Sequence, residues 1–290
     1  MSIELTQKYA PKVDELFSAE SKLSLLTNTD YDWTGAHSVK VWNVSTVKMS
    51  DYARNLGEDA FSEDNAAALS RYGNLTDLNA QTQEMLLTRD RSFIFNIDKL
   101  DQEETGEAIE AASALARQIR EQVIPEVDTY TYAKMVENAG TTITGDLTAE
   151  NVYDAIVAGT EALDDAEVPD TERAIVVTPK VYRLMKKSPD INLDCDISEE
   201  NRLRGVIATV DGMAVAKVPA NRLPTGFNFM IAHPAATCAP VKLEDYGTHT
   251  DTPLSSGTIV TGRVCYDAFV LSKKKKAIYY HSTEATAANA

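Results

Sequence analysis

Apolar positions along the chain change their period, and each change marks an element. Over SVKVWNVSTV, residues 38–47, Val39 and Val41 alternate with polar residues, and after Asn43 the pattern drifts to Val44 and Val47. EMLLTRDRSFIFNI, residues 84–97, is a second run of this kind. Successive strand side chains point to opposite faces, so a period of two predicts a strand in each. The interval between them, EDAFSEDNAAALSRYGNLTD included, is polar and acidic with no apolar stripe. Strands so far apart form a long excursion rather than a core hairpin.

From residue 101 the period lengthens to that of a helix. Asp101 with Glu104 forms a capping pattern, in which the first side chain accepts from orphan amides and the second reaches back. Ala108, Ile109, Ala112, Leu115, Ala116, Ile119 and Val123 follow at helical spacing on one face. Pro125 is expected to stop this helix, because proline lacks the amide and clashes with the preceding turn. A second helix is predicted over 126–138, ended by Gly140, and a third from Thr148 with Val152, Ile156, Gly159 and Leu163 on its stripe.

Beyond residue 170 the pattern is mixed. RAIVV is a short apolar run ending at Thr178-Pro179, a cap followed by proline at the first helical position, and VYRLMKK continues that helix. GVIATVDGMAVAKVP holds two strands around Asp211-Gly212, a dipeptide suited to tight hairpin turns. FNFMIAH, APVKLEDY, TIVTGRVCYDAFVL and AIYYHS supply further strands. Residues 1–35 hold one short helical pattern (Val13, Leu16, Phe17, Leu23) and then the turn-rich TNTDYDWTGAH. The fold class this predicts is α+β.

Composition narrows the function classes. With 43% hydrophobic and 25% charged residues the 290-residue chain is globular and long enough for about two domains. A formal net charge of −16 argues against a general affinity for nucleic acid, which draws on clustered Lys and Arg. No apolar run is long enough to span a bilayer, and MSIELTQKYAPKVDELF does not read as a secretory leader. Cys195, Cys238 and Cys265, odd in number and far apart, suit a reducing cytoplasm better than a disulfide framework.

Candidate chemistry changes the picture little. GTTITGD, residues 140–146, has two glycines of a phosphate loop but Asp146 where a lysine must meet phosphate, so it reads as a connecting loop. LDCDISEE, residues 193–200, lacks the glycine that turns a calcium loop and reads as an acidic surface loop. His37, His233, His249 and His281 are not at ligand spacing. No catalytic residue, cofactor or metal ligand is assigned. A Ser/His or Cys/His pair brought together only by folding would leave no motif, and a soluble α/β hydrolase stays open on that ground.

The order of elements resembles the major capsid proteins of tailed double-stranded-DNA bacteriophages, the Hong Kong 97-like fold, over essentially the full chain. Three stretches carry the resemblance: residues 1–125 with their arm, excursion and capped helix; AIVVTPKVYRLMKK followed by GVIATVDGMAVAKVPANRLP; and GRVCYDAFVLSKKKKAIYYH. It implies an N-terminal arm (1–35), an extended β-hairpin loop (36–96), a peripheral domain with the long spine helix (97–140 and 240–272), an axial domain (141–239 and 273–285) and a flexible tail (286–290). The implied function is self-assembly of hexamers and pentamers into the icosahedral head around packaged DNA, bound without sequence specificity and away from any membrane. The implied partners are copies of the chain itself, a portal, decoration proteins and a scaffolding protein. The excursion begins by Ser38, so the scaffold is expected as a separate protein. The virion would be its final place and the host cytoplasm its place of assembly. A shell of the same fold that encloses enzyme cargo is the alternative.

Two charged stretches take readings from this frame. Arg89, Asp90 and Arg91 interrupt an apolar strand and are either a solvated strand face or contacts to acidic groups of an adjacent subunit. Lys273, Lys274, Lys275 and Lys276 read first as a solvated bend between strands, where lysines would also shield a strand edge, and second as a weak DNA contact. The excursion itself needs a covering surface, because an isolated two-stranded ribbon is marginal in water. That surface is either its own domain or, in a head-to-tail assembly, a neighbouring copy.

Overall fold

A computed structural model of the chain describes residues 20–31, 33, 38–44, 46–49, 51–52, 54, 72, 77, 80–100, 111–189, 206–250 and 256–283. The chain divides into two units, residues 38–86 and the remainder.

The larger unit is organised by a mixed six-stranded sheet: β4 (Thr141–Thr144), β13 (Ile278–Ser282), β8 (Phe227–Ala232), β5 (Ala174–Val177), β7 (Met213–Lys217) and β6 (Val206–Val210), in that spatial order. Its central strands AIVV, FNFMIA and IYYHS are buried at every position. A sheet covered on both faces has no polar side to alternate with, which is why these strands read as continuous apolar runs. Ala174, Val176, Met230, Ala232 and Tyr280 face a cluster that includes Tyr132, Met135 and Val136. Ile175, Val177, Phe229, Ile231 and Tyr279 face a cluster that includes Val152, Ile156, Leu163, Val181 and Met185.

The helices follow from their stripes. We label Ala111–Gln118 α1, Ile124–Glu137 α2, Val152–Asp165 α3 and Pro179–Met185 α4. In α3 the predicted stripe Val152, Ile156, Gly159 and Leu163 is the buried face. Gly159 has a packing reason, because a Cβ there would lie 2.8 Å from Ile231 Cδ1 and 3.0 Å from the Tyr279 ring. Thr178 caps α4 as expected, its hydroxyl accepting from the Val181 amide at 3.3 Å with Pro179 at the first turn. The β6–β7 hairpin turns at Asp211 (φ 50°) and Gly212 (φ 74°), the pair of positive φ values that a tight twisted hairpin needs.

Four expectations are corrected. Pro125 does not end the helix: α1 runs through a π-helical turn, Ile119–Val123, directly into α2. There the Ile124 amide bonds to the Ile119 carbonyl, five residues back, and the wider turn accommodates the missing proline donor at the first positions of α2. The α1 stripe, expected to pack as a buried face against the peripheral-domain strands, is also not core. No residue of α1 is buried, and Leu115 is only half-buried, so it would not leave the full core cavity on truncation. Finally, the run 84–97 is two strands. β2 (Ala80–Leu86) pairs antiparallel with β1 (Ser38–Val44), whereas β3 (Arg89–Asp98) joins a separate three-stranded sheet, β10 (Val241–His249), β11 (Gly257–Tyr266) and β3. The stretch 140–146 also contains β4, which pairs parallel with β13, rather than only a loop. The Asp101/Glu104 cap and LDCDISEE lie outside the described residues.

Residues 20–31, expected as part of a turn-rich arm, dock on the larger unit. Leu26 is fully buried, the Asn28 amide donates to the Thr237 carbonyl at 2.9 Å, and Trp33 stacks on Phe269 with ring centroids 5.5 Å apart.

Candidate interaction surface

In the smaller unit, β1 and β2 pair from Ser38↔Leu86 to Val44↔Ala80. Directly opposed residues share a face, so Lys40, Trp42 and Val44 stand with Glu84, Thr82 and Ala80. Trp42 is 70% exposed, and beyond the strand Met49 is 99% exposed; Val44 and Val47 are also exposed. The pairing contributes one loose ion pair, Lys40–Glu84 at 4.0 Å between exposed groups, which stabilises little. A two-stranded ribbon carrying an indole on its open face has the composition of a contact surface.

The next residues in sequence are held tightly. Asp267, buried in the turn after β11, accepts from the Thr88 amide at 2.9 Å, the Thr88 hydroxyl at 2.8 Å, the Tyr130 hydroxyl at 2.8 Å and the Ala268 amide at 2.8 Å. This node fixes the chain two residues after β2 ends, and burial with the Asp267 charge pushes the Tyr130 phenol upward. Nothing in VCYDAF marks Asp267 beforehand, since its partners come from elsewhere in the chain.

Arg89, Asp90 and Arg91 sit on β3 in the three-stranded sheet. The Arg89 guanidinium lies 4.6 Å above the Tyr130 ring, Arg91 Nε donates to Glu126 at 2.7 Å, and Arg263 grips Asp90 through two hydrogen bonds. The Arg263 fork holds the Asp90 carboxyl below its usual range. Glu126 also accepts from the Tyr266 hydroxyl at 3.1 Å, and burial, with that carboxylate beside it, pushes the Tyr266 phenol up to about 12. Next along the same face as Arg91, Phe93 and Phe95 stack with centroids 6.2 Å apart. Gly262 lies under the Phe93 ring, where a Cβ would approach within 2.3 Å. A cleft of roughly 620 Å³ opens beside this sheet, bounded by Leu23, Ile119, Val123, Val127, Tyr246 and Val264.

The lysine run forms a short 3-10 turn, Ser272–Ala277, between β12 (Phe269–Val270) and β13. Lys273, Lys274 and Lys276 are exposed, and Lys275 is half-buried with its ammonium donating to Asn138 Oδ1 at 3.1 Å. Gly140 packs on the turn's backbone, with a Cβ there only 2.4 Å from the Lys275 carbonyl oxygen.

His233 and His281 are buried and His249 is exposed. His233 Nδ1 accepts from the Ala235 amide at 3.1 Å, which protonation would abolish, and His281 stacks on Phe229 with centroids 5.0 Å apart. Burial lowers both pKa values from the ordinary 6.5. A depressed folded-state pKa means that the unfolded chain protonates first. Stability is therefore full above about pH 6.5 and falls as pH drops below it, levelling off once the folded imidazoles protonate. Denaturant midpoints measured between pH 8 and 5 should show this fall, and His281→Asn with His233→Asn should flatten it. Among the described residues no group of His, Cys, Asp and Glu is placed to hold a metal ion, and no helix is long and apolar enough to cross a membrane.

No protein-family model matches this chain, and no curated protein does. Solved structures do. A structure from Mycobacterium phage Che8 is similar at a TM-score of 0.72 and 18% identity, covering 97% of each chain. The capsid structure of cyanophage P-SCSP1u follows at 0.70 and 14%, covering 98% of this chain and 94% of that one. A chain from the asymmetric unit of the mature bacteriophage PhiM1 capsid gives 0.69 and 14%, with 96% and 91% covered. Over nearly its whole length, with its mixed helix and sheet, the chain has the fold seen in phage capsid structures.

Proposed function

We propose that this chain is a structural protein of a bacteriophage head, assembling as hexamers and pentamers into an icosahedral shell around double-stranded DNA. The observation that carries the reading is whole-length likeness to capsid structures, with the helix, both sheets and the ribbon all in the matched span. In this reading residues 1–35 are the arm and 36–96 the extended loop, with the ribbon its protruding part. Residues 97–140 with 240–272 form the peripheral domain, where α1, the π turn and α2 are the spine helix. Residues 141–239 with 273–285 form the axial domain built on the six-stranded sheet, and 286–290 are a tail. No catalytic role is assigned to any residue.

The exposed ribbon supports self-association, because Trp42 and Val44 on its open face gain by being covered by a second copy. Arg89, Asp90 and Arg91, which begin three residues after β2, are candidate contacts to an adjacent subunit, where acidic groups would meet the two arginines beside the partners they hold within the chain. The acidic net charge of −16 suits a shell that encloses DNA without gripping it. A scaffolding protein, a portal and decoration proteins complete the set of partners, and assembly takes place in the host cytoplasm.

Negative-stain microscopy of the expressed protein, alone and with its neighbouring gene products, tests the reading: closed shells of uniform size are expected. Absorbance at 260 nm against 280 nm then separates a DNA-filled head from a cargo-enclosing compartment, and a monomer under all these conditions would overturn both. For Lys273–Lys276, changing all four to Gln should leave assembly and packaging nearly unchanged. Full-sized shells that stay empty would instead make the turn a DNA contact.

A further inference from the structure

One strongly charged surface has no role in the account above. Lys180, Arg183, Lys186 and Lys187 are exposed on and just after α4, and Lys217 is exposed at the end of β7. Two of them converge: the Lys186 and Lys217 ammonium groups lie 5.2 and 5.4 Å from the centroid of the single Tyr182 ring. Several other cations on the described surface are neutralised locally, as in Arg91–Glu126, Arg263–Asp90 and Lys134–Glu137. None of these five has an ion-pair partner among the described residues. Five like charges on one short stretch of surface, with no counter-charge paired to them among the described residues, are complementary to an anionic partner.

The same chain carries a matching anion. Residues 190–200, DINLDCDISEE, hold Asp190, Asp194, Asp196, Glu199 and Glu200 and no basic residue. In a ring of identical subunits each copy presents one surface and receives the complementary one, so a basic face and an acidic segment on the same chain satisfy each other around the ring.

We propose that the basic surface around Tyr182 receives the acidic segment 190–200 of a neighbouring copy. This rests on the self-assembly reading and names the partner of one of its interfaces. The contact is between exposed charges and sets register and partner choice more than affinity.

Two variants of the full chain test it. One reverses the basic surface (Lys180→Glu, Arg183→Glu, Lys186→Glu and Lys217→Glu); the other reverses the segment (Asp194→Lys, Asp196→Lys and Glu199→Lys). Each alone should lose association, and an equal mixture of the two should regain it, because every unlike neighbour pair is again complementary. The chain carrying both sets should also associate. Rescue in the doubly reversed chain but not in the mixture would mean that the segment covers its own chain's basic surface, and would overturn the proposal. So would wild-type association in either single-set variant, or loss of DNA binding as the only consequence of reversing the basic surface.

A second measurement does not depend on shell formation. A fluorescent peptide of residues 190–200 should bind the wild-type chain and weaken about tenfold or more between ~0.05 M and ~0.5 M salt, with no binding to the surface-reversed chain. If the wild type never assembles yet this binding is seen, the head reading fails and the interface stands. If shells form and the peptide does not bind, the interface fails alone.

Discussion

Replacing Asp128 with Ala is expected to destabilise the subunit by about 3–5 kcal/mol, because it removes one partner of a buried ion pair. Asp128 on α2 and Arg222 in the short turn after β7 are both almost fully buried, with Arg222 Nη1 donating to Asp128 Oδ2 at 2.8 Å. Ser21 donates to the other carboxylate oxygen at 2.6 Å and ties residues 20–29 to the helix. Burial raises the Asp128 pKa in spite of Ser21 and Arg222, so desolvation outweighs the attraction of the pair. The interaction therefore specifies where three distant segments meet more than it stabilises them. It follows that Asp128→Leu with Arg222→Met should cost much less than Asp128→Ala alone. Denaturant unfolding followed by circular dichroism reads both, and a loss below about 1 kcal/mol in the single variant would show that water or other protein groups satisfy Arg222 without the carboxylate.

The second large effect is expected on assembly rather than on stability. Trp42→Asp with Val44→Asp should leave the subunit soluble, with an unchanged unfolding midpoint, and reduce shell yield by at least about tenfold, since buried aromatic anchors dominate association energetics. Trp42 and Val44 are exposed on the open face of β1, so the free subunit has little to lose there, whereas in the proposed shell an aspartate covered by a neighbouring copy would be desolvated without a partner. Light scattering and microscopy on the same preparation separate the outcomes. Shells at wild-type yield would show that this face points to solvent in the assembly, and insoluble protein would show that it is covered within the chain.

Much of the fold was legible because it is local. The apolar runs of β5, β8 and β13, the α3 stripe, the Thr178-Pro179 start of α4 and the Asp211-Gly212 turn each follow from the period and chemistry of a few adjacent residues. The resemblance drawn from their order agrees with the fold matched to capsid structures. The misreadings share a cause. Residues 84–97 keep a strand-like pattern from one end to the other, so nothing local announces that β2 turns to β1 while β3 pairs with β11, more than 150 residues away. Pro125 is a reliable helix breaker in isolation, but here α2 packs Tyr132, Met135 and Val136 into the core, and the π turn keeps α1 continuous with it.

What the sequence by itself determined is most of the elements, the continuous apolar runs of the central strands, the acidic net charge and the lysine run between strands. Tertiary structure alone decided which elements meet. Asp267 meets Thr88 across 179 residues and Arg222 meets Asp128 across 94, and in each case a buried carboxylate must find its donors wherever the packed backbone places them. Periodicity reports which face of an element is hydrophobic, because that depends only on side chains a turn or a pleat apart. The choice of partner for that face depends on loop closure and on competing surfaces along the whole chain, which no local window contains.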